Sequence, residues 1–284
     1  MKKAKVIVIL GTTAVGKSNL AVEFARKFKG EIISADSRQV YKELDIGTGK
    51  ITKKEMLDIP HYLIDVANPK KKFTVTEYQK QAVKKIEEII SRGNTPIIVG
   101  GTGFYIDAIT KGTIFPEVKP NLTLRKTLTK HSAEELFKML KKLDKNRALN
   151  IDAKNPVRLI RAIEIAKALG KVPQTTEALP PYKFIKIGLK LDEKILKKKI
   201  EKRVKGMFSD GLLNEIKKLK KIGISEKRLK EFGFEYDSPT PEKVILGTLQ
   251  YAKRQNTWFK RDLDIKWFKP EEYIKIEKYL KKQI

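Results

Sequence analysis

Residues 11–18, Gly-Thr-Thr-Ala-Val-Gly-Lys-Ser, have the spacing G-x-x-x-x-G-K-[ST] of a phosphate-binding loop. The chemistry of such a loop is anion capture. Its backbone N–H groups converge on phosphate oxygens, the helix that follows presents the positive end of its dipole, Lys17 adds a point charge and Ser18 a hydroxyl suited to Mg²⁺. Gly11, Thr12, Thr13, Ala14, Val15, Gly16, Lys17 and Ser18 are therefore candidate phosphate-binding residues, and Ser18 is also the candidate metal ligand. A plain glycine turn with a snorkelling lysine would share some of these residues. The context argues against it: Val6 to Leu10 read as a buried strand, and Leu20, Ala21, Phe24, Ala25 and Phe28 recur at helical spacing. The loop recognises phosphate, whichever molecule carries it.

A second group follows the next apolar run. In "SADSRQVYKELDIGTGK" (34–50), Asp36, Ser37, Arg38 and Gln39 come directly after a buried strand, where a merely solvated loop would need no such cluster. Asp36 is suited to be a metal ligand, a helix cap or a general base. Asp65, ending "YLID", is its rival. In "VGGTGFYIDAI" (99–109) the glycines permit close backbone approach, and Thr102 is a donor at the same edge. Arg203 shares a helical stripe with Leu196, Ile200, Val204 and Met207, whereas Lys198, Lys199 and Lys202 point elsewhere; it is the inward-facing cation of its helix. In "LQYAKRQNTWFKR" (249–261), Tyr251, Trp258 and Phe259 alternate with Lys253, Arg254, Lys260 and Arg261, which fits either stacking on RNA or aromatics in a core with charges in water. His61 and His131 are expected to have no catalytic role.

These residues need a frame. Strand candidates at 6–10, 29–36, 61–66 and 95–101 alternate with helices, one of them opened by Thr74 and Glu77 in capping-box spacing and closed by Ser91-Arg92-Gly93. This is the pattern of a parallel sheet with crossover helices, which binds ligands at the carboxyl ends of its strands. From about Gly112 the pattern changes to helical signals alone over 121–170, ending in "NPVRLIRAIEIAKALG". A strand returns at 182–190, then helices near 193–208, 211–222 and 241–261, a short strand at "IKWF" and an end helix. The expected fold is α/β: a P-loop parallel sheet flanked by helices, with an all-helical insertion domain. Its expected boundaries are 1–111 and 182–284 for the catalytic core and 112–181 for the insertion.

Composition narrows the partners. The 284 residues include 62 Lys+Arg against 34 Asp+Glu, a net charge of +28, and no cysteine. Disulfides and thiolate metal sites are excluded. The surplus charge points to a polyanion, unless it reflects only a lysine-rich proteome. No window approaches the ~18 apolar residues of a membrane span. "MKKAKVIVIL" is read as the first strand rather than a leader, so the expectation is a cytoplasmic protein without membrane association, acting as a monomer.

The motifs together resemble one family. "GTTAVGKS", "SADSRQVYKELDIGTGK", "HYLIDV", "IIVGGTGFYIDAI", "NPVRLIRAIEI", "GLLNEIKKL" and "YAKRQNTWF" are similar, in order and across nearly the whole chain, to the motifs of tRNA dimethylallyltransferases, also called tRNA isopentenyltransferases. The resemblance implies transfer of the five-carbon group of dimethylallyl diphosphate to the exocyclic amine of the adenosine 3′ of the anticodon, with pyrophosphate released. It makes Asp36 the general base and puts Thr13 and Arg203 on the leaving pyrophosphate, with Lys17 beside them. Asp36, Ser37, Arg38, Gln39, Thr102 and Arg125 would face tRNA, as would Arg158 and Arg161, and the anticodon stem-loop would take up the surplus lysines. Thr12 stands where the family usually has proline, and "GTGK" replaces the commoner G-T-A-K-P. "EFGFEY" (231–236) replaces the usual glycine-tyrosine-lysine-glutamate segment, a departure expected on the tRNA side that leaves the diphosphate residues intact. The alternatives are an isopentenyltransferase acting on free adenine nucleotide, a P-loop small-molecule kinase, and an RNA binder without turnover.

Overall fold

Val6 to Leu10 have no solvent exposure, and they alternate between two cores. Val6, Val8 and Leu10 pack on one face of the central sheet with Ile33 and Ile98, while Ile7 and Ile9 pack on the other with Ile97, Ile185 and Ile187. A strand covered on both faces needs an unbroken apolar run rather than an alternating one, which is what this sequence supplies.

The computed structural model describes residues 3–174 and 176–284. Met1 and Lys2 of the expected first strand and Thr175 of the "VPQTTEALPP" connection lie outside the described residues. In chain order the elements are β1 (Ala4–Gly11), α1 (Lys17–Lys27), β2 (Gly30–Ser34), α2 (Lys53–Met56), β3 (His61–Tyr62), α3 (Val75–Ser91), β4 (Thr95–Gly100) and α4 (Gly103–Thr110). Then come β5 (Thr113–Ile114), α5 (Leu122–Leu128), α6 (Ala133–Leu143), α7 (Lys145–Leu149), α8 (Pro156–Leu169), β6 (Thr176–Glu177), β7 (Tyr182–Leu189) and α9 (Glu193–Ser209). The chain closes with α10 (Leu212–Lys221), α11 (Glu226–Phe232), α12 (Pro241–Phe259), β8 (Lys266–Phe268) and α13 (Tyr273–Gln283).

Two compact units result, one from Met1–Gly112 with Leu179–Ile284, the other from Thr113–Ala178. In the first, six parallel strands run in the order β3-β2-β4-β1-β7-β8. The chain winds from β1 to one side through β2, β3 and β4, then to the other through β7 and β8. Such a reversal opens a ligand crevice beyond the carboxyl ends of the strands. The second unit packs α5 to α8 around Leu128, Leu136, Leu140, Leu159 and Ile163. It is not all-helical as expected, because β5 pairs antiparallel with β6 through two residues each.

Two further expectations are corrected. The strand at 61–66 stops at Tyr62, because Leu63 and Asp65 take positive φ (60° and 57°) and leave the extended region. Asp65 therefore does not end a strand. It is exposed and paired with Lys50 at 2.5 Å. The segment before α12, without a predicted helix, holds α11, whose Ser225 cap accepts from the Arg228 N–H and whose Leu229 and Phe232 are buried. The capping box expected at Thr74 and Glu77 is present in both directions.

Candidate active site at the carboxyl edge of the sheet

β1 ends at Gly11, and the loop reaches α1 with Ala14 at φ 60° and Gly16 at φ 101°. Left-handed residues of this kind turn successive amides to one side, the geometry of an anion nest. Gly16 caps α1 and, lacking a side chain, makes no cap hydrogen bond to its first-turn N–H groups. Lys17 Nζ donates to the Thr12 carbonyl at 2.6 Å. Burial pulls its ammonium down to about 8, opposed by the Asp36 carboxylate and assisted by the Arg203 guanidinium. Lys17, Asp36 and Arg203 thus share one electrostatic environment. The Thr12 hydroxyl, where proline is usual, is buried without a partner.

Asp36 lies two residues beyond β2. The segment is fastened to the end of β4 by Ala35 N to Val99 O (2.7 Å) and Thr102 N to Ala35 O (3.1 Å), and a Cβ at Gly100 would lie 2.1 Å from the Ala35 carbonyl oxygen. Asp36 Oδ1 accepts from Arg38 N (2.8 Å) and Gln39 N (3.3 Å). It therefore does cap a turn, but through one oxygen. Ser37 N donates to Thr102 Oγ1 at 3.0 Å, and Thr102 lies close to Tyr251, whose phenol burial pushes up to about 12.

Arg203 projects inward from α9, where Ile200, Val204 and Met207 are buried. Its Nη2 donates to the Thr48 carbonyl at 2.9 Å, and Gly49 gives it room, since a Cβ there would lie 2.0 Å from Nη2. Burial lowers the guanidinium, against the pull of Asp36 and Glu235. The loop it touches is held from beneath by Glu215, which sequence reasoning did not single out. This buried carboxylate accepts from the N–H groups of Asp45 (2.9 Å), Ile46 (2.7 Å) and Gly47 (3.1 Å), and from the Tyr236 hydroxyl at 2.8 Å. The only hint was a lone acid on the apolar stripe of "GLLNEIKKL".

The departure at 231–236 is closer to the chemistry than expected. Tyr236 braces Glu215, and burial pushes the Glu235 carboxyl up to about 7 even though Arg38 and Arg203 favour its charged form. On α12, Trp258 donates its indole N–H to Asp107 Oδ2 at 3.1 Å and fills the space that a Cβ on Gly103 would take; Phe259 is buried. Both belong to the core. His61 is engaged with the Ile59 carbonyl at 2.8 Å, and His131 lies 3.8 Å from Glu135.

In the helical unit, Glu164 is almost fully buried and gathers Asn121 N (2.6 Å), Arg125 Nε (2.9 Å) and Nη2 (2.6 Å), and Arg161. Burial raises its carboxyl, and the arginines and the Asn121 amide outweigh that to hold it below the usual range. Arg125 and Arg161 are thus committed to a carboxylate with part of each guanidinium exposed. Arg158, at the start of α8, is exposed.

Residues 39–262 match a family model described as IPP transferase. A tRNA dimethylallyltransferase from Halothermothrix orenii is 40% identical over 97% of this chain and 91% of its own length. The chain belongs to the IPP transferase family. The crystal structure of a full-length tRNA isopentenylpyrophosphate transferase from Bacillus halodurans superposes with a TM-score of 0.71 at 33% identity, covering 98% of this chain and 96% of that one. A eukaryotic dimethylallyltransferase solved acting on tRNA gives a TM-score of 0.81 at 28% identity, over 94% and 74% of the two chains. The parallel sheet flanked by helices is the architecture of this IPP transferase family. No helix among the described residues is long and apolar enough to cross a membrane.

Proposed function

We propose that this chain transfers the dimethylallyl group of dimethylallyl diphosphate to the N6 amine of the adenosine 3′ of the anticodon in tRNA. Family membership supports the reaction class. The observation that carries the reading is that the Asp36 carboxylate lies in the field of two part-buried cations, Lys17 and Arg203, beside a phosphate loop whose helix has a glycine at its cap. That arrangement supports a reading in which a proton acceptor lies beside donors for a departing diphosphate.

The step balances on these residues. The N6 lone pair forms a bond to the allylic carbon as its C–O bond breaks, the electron pair leaves on pyrophosphate, and the N6 proton passes to Asp36. A neutral exocyclic amine is a weak nucleophile, so a positioned base helps as the bond forms. Loop amides, Lys17, Thr13 and Arg203 stabilise the charge gathering on the leaving group. Ser37, Arg38, Gln39 and Thr102 line the acceptor edge, and Arg125, Arg158 and Arg161 are assigned to the RNA.

The donor set suits Mg²⁺ bound mainly through substrate oxygens and water: Ser18 offers an exposed hydroxyl on the first turn of α1, and no group of three His, Asp or Glu among the described residues forms a metal cage. Such an ion, when bound, would offset part of the diphosphate charge. Purified protein given labelled dimethylallyl diphosphate, Mg²⁺, unmodified tRNA and AMP should put label into RNA and release pyrophosphate. Label in AMP would move the assignment to a nucleotide acceptor, and no label in either would overturn it.

A further inference from the structure

Gln255 is buried on α12, and its carboxamide bridges two loops. Oε1 accepts from Thr13 N at 2.9 Å, and Nε2 donates to the Gly101 carbonyl at 2.9 Å. Thr13 belongs to the phosphate loop, and Gly101 precedes Thr102, whose Oγ1 accepts from the N–H of Ser37, next to Asp36. One side chain therefore ties the strand end that would hold the diphosphate to the end of β4, on which the segment that would present the base is fastened. Tyr251, one helical turn earlier, lies close to Thr102. The Thr13 N–H, counted from sequence among the phosphate donors, is given to Gln255 instead.

The residue type is dictated by what it meets. A backbone N–H on one side and a carbonyl on the other require an acceptor and a donor on one short planar group, which a carboxamide supplies. Gly101 completes the fit: a Cβ there would lie 2.2 Å from Gln255 Nε2. In the sequence this glycine suggested close backbone approach. In the structure it makes room for Gln255.

We propose that Gln255 is a positioning residue that fixes the distance between the leaving-group loop and the acceptor edge, so that its loss impairs the transfer step more than the binding of either substrate. The proposal rests on the transferase reading above. Displacements of about 1 Å in a reacting pair cost on the order of 10²-fold in rate.

The test compares Gln255→Met, Gln255→Glu and Gly101→Ala with wild type in single-turnover transfer to tRNA, alongside equilibrium binding of pyrophosphate and of tRNA and the thermal midpoint. Gln255→Met should lose roughly 10- to 10²-fold in rate while each affinity changes less than about threefold. Gly101→Ala should match it, and the two together should be no worse than either alone, because both break the same link. Gln255→Glu supplies a signature that a merely structural role would not produce. A neutral carboxylic acid can accept from Thr13 and donate to Gly101 as the amide does, whereas the carboxylate cannot donate. Its rate relative to wild type should therefore recover as pH falls, while that of Gln255→Met stays low throughout. Full rate in folded Gln255→Met, additive losses, or a Gln255→Glu ratio independent of pH would each overturn the proposal. If Gln255→Met does not fold, Gly101→Ala and the pH ratio of Gln255→Glu decide it alone. Absence of transfer by the wild-type protein would instead contradict the transferase reading, and this proposal with it.

Discussion

The loop at 11–18 follows β1 and the loop at 36–49 follows β2, with β4 between the two strands, and they solve opposite problems. The first leaves the opening of α1 without a capping side chain. The second spends its amides internally: Ser37 on Thr102, Arg38 and Gln39 on Asp36, and Asp45, Ile46 and Gly47 on Glu215. A backbone with open donors binds an anion directly, whereas one whose donors are committed can only hold side chains still. On the proposed reading, the difference teaches that the diphosphate would be recognised by main chain and cations, and the acceptor by positioned side chains.

The sharpest way to break this contrast is at Asp36. Asp36→Asn keeps an oxygen for the Arg38 and Gln39 amides but removes the base, so turnover should fall by ~10²–10⁴-fold while the thermal midpoint hardly moves, since asparagine caps about as well as aspartate. A single-turnover rate near wild type would return Asp36 to a capping role. Next is Glu215→Gln, which leaves at least one of its four donors unsatisfied and loosens the loop that Arg203 touches. Stability should drop by about 1–3 kcal/mol in urea unfolding, and the rate by roughly tenfold if loop position matters. A loss of stability with an unchanged rate would separate the loop from catalysis.

Glu235 sharpens the contrast through pH. Its carboxyl is raised from 4.5 to about 7, so the folded state binds more protons than the unfolded state between those values, and stability is lost as pH rises through that window. Glu235→Gln should remove this loss, with the midpoint difference between variant and wild type growing from about pH 4.5 to about pH 7. It should also remove a step near pH 7 from the rate profile, because an ionised Glu235 opposes the pull of Arg203 on the leaving group. The smallest effect is expected from exposed Arg158. Arg158→Ala should cost about one unit of slope in log affinity for tRNA against log salt, with no change in thermal midpoint; an unchanged slope would remove it from the RNA contacts.

The legible parts of the molecule are those whose signal is local. β1, the phosphate loop and α1 follow from an apolar run, two glycines and helical spacing, and Arg203 follows from its stripe. Asp36 was legible as a candidate, with capping among its readings. What was hidden depends on contacts across the chain. Glu215 and Gln255 lie within recognised motifs, but their backbone partners are 168 to 170 and 154 and 242 residues away, and periodicity carries no trace of them. The early end of β3 is hidden for another reason, since Leu63, which leaves the extended region first, is not a residue that advertises positive φ. Trp258 and Tyr251 were ambiguous because an aromatic beside a lysine looks alike in a core and on an RNA surface, and only Gly103, Asp107 and Thr102 reveal what these two touch.

The division of labour between the two loops is tested most directly by calorimetric binding of Mg²⁺-pyrophosphate to wild type, Lys17→Met and Asp36→Asn. Lys17 belongs to the loop that would grip the anion, and Asp36 to the edge that would not. Lys17→Met should weaken binding by at least about tenfold, the scale of one charge-assisted contact, and Asp36→Asn should leave it within about threefold or tighten it, because a nearby negative charge is gone. Equal weakening in both variants, or none in Lys17→Met, would contradict the account.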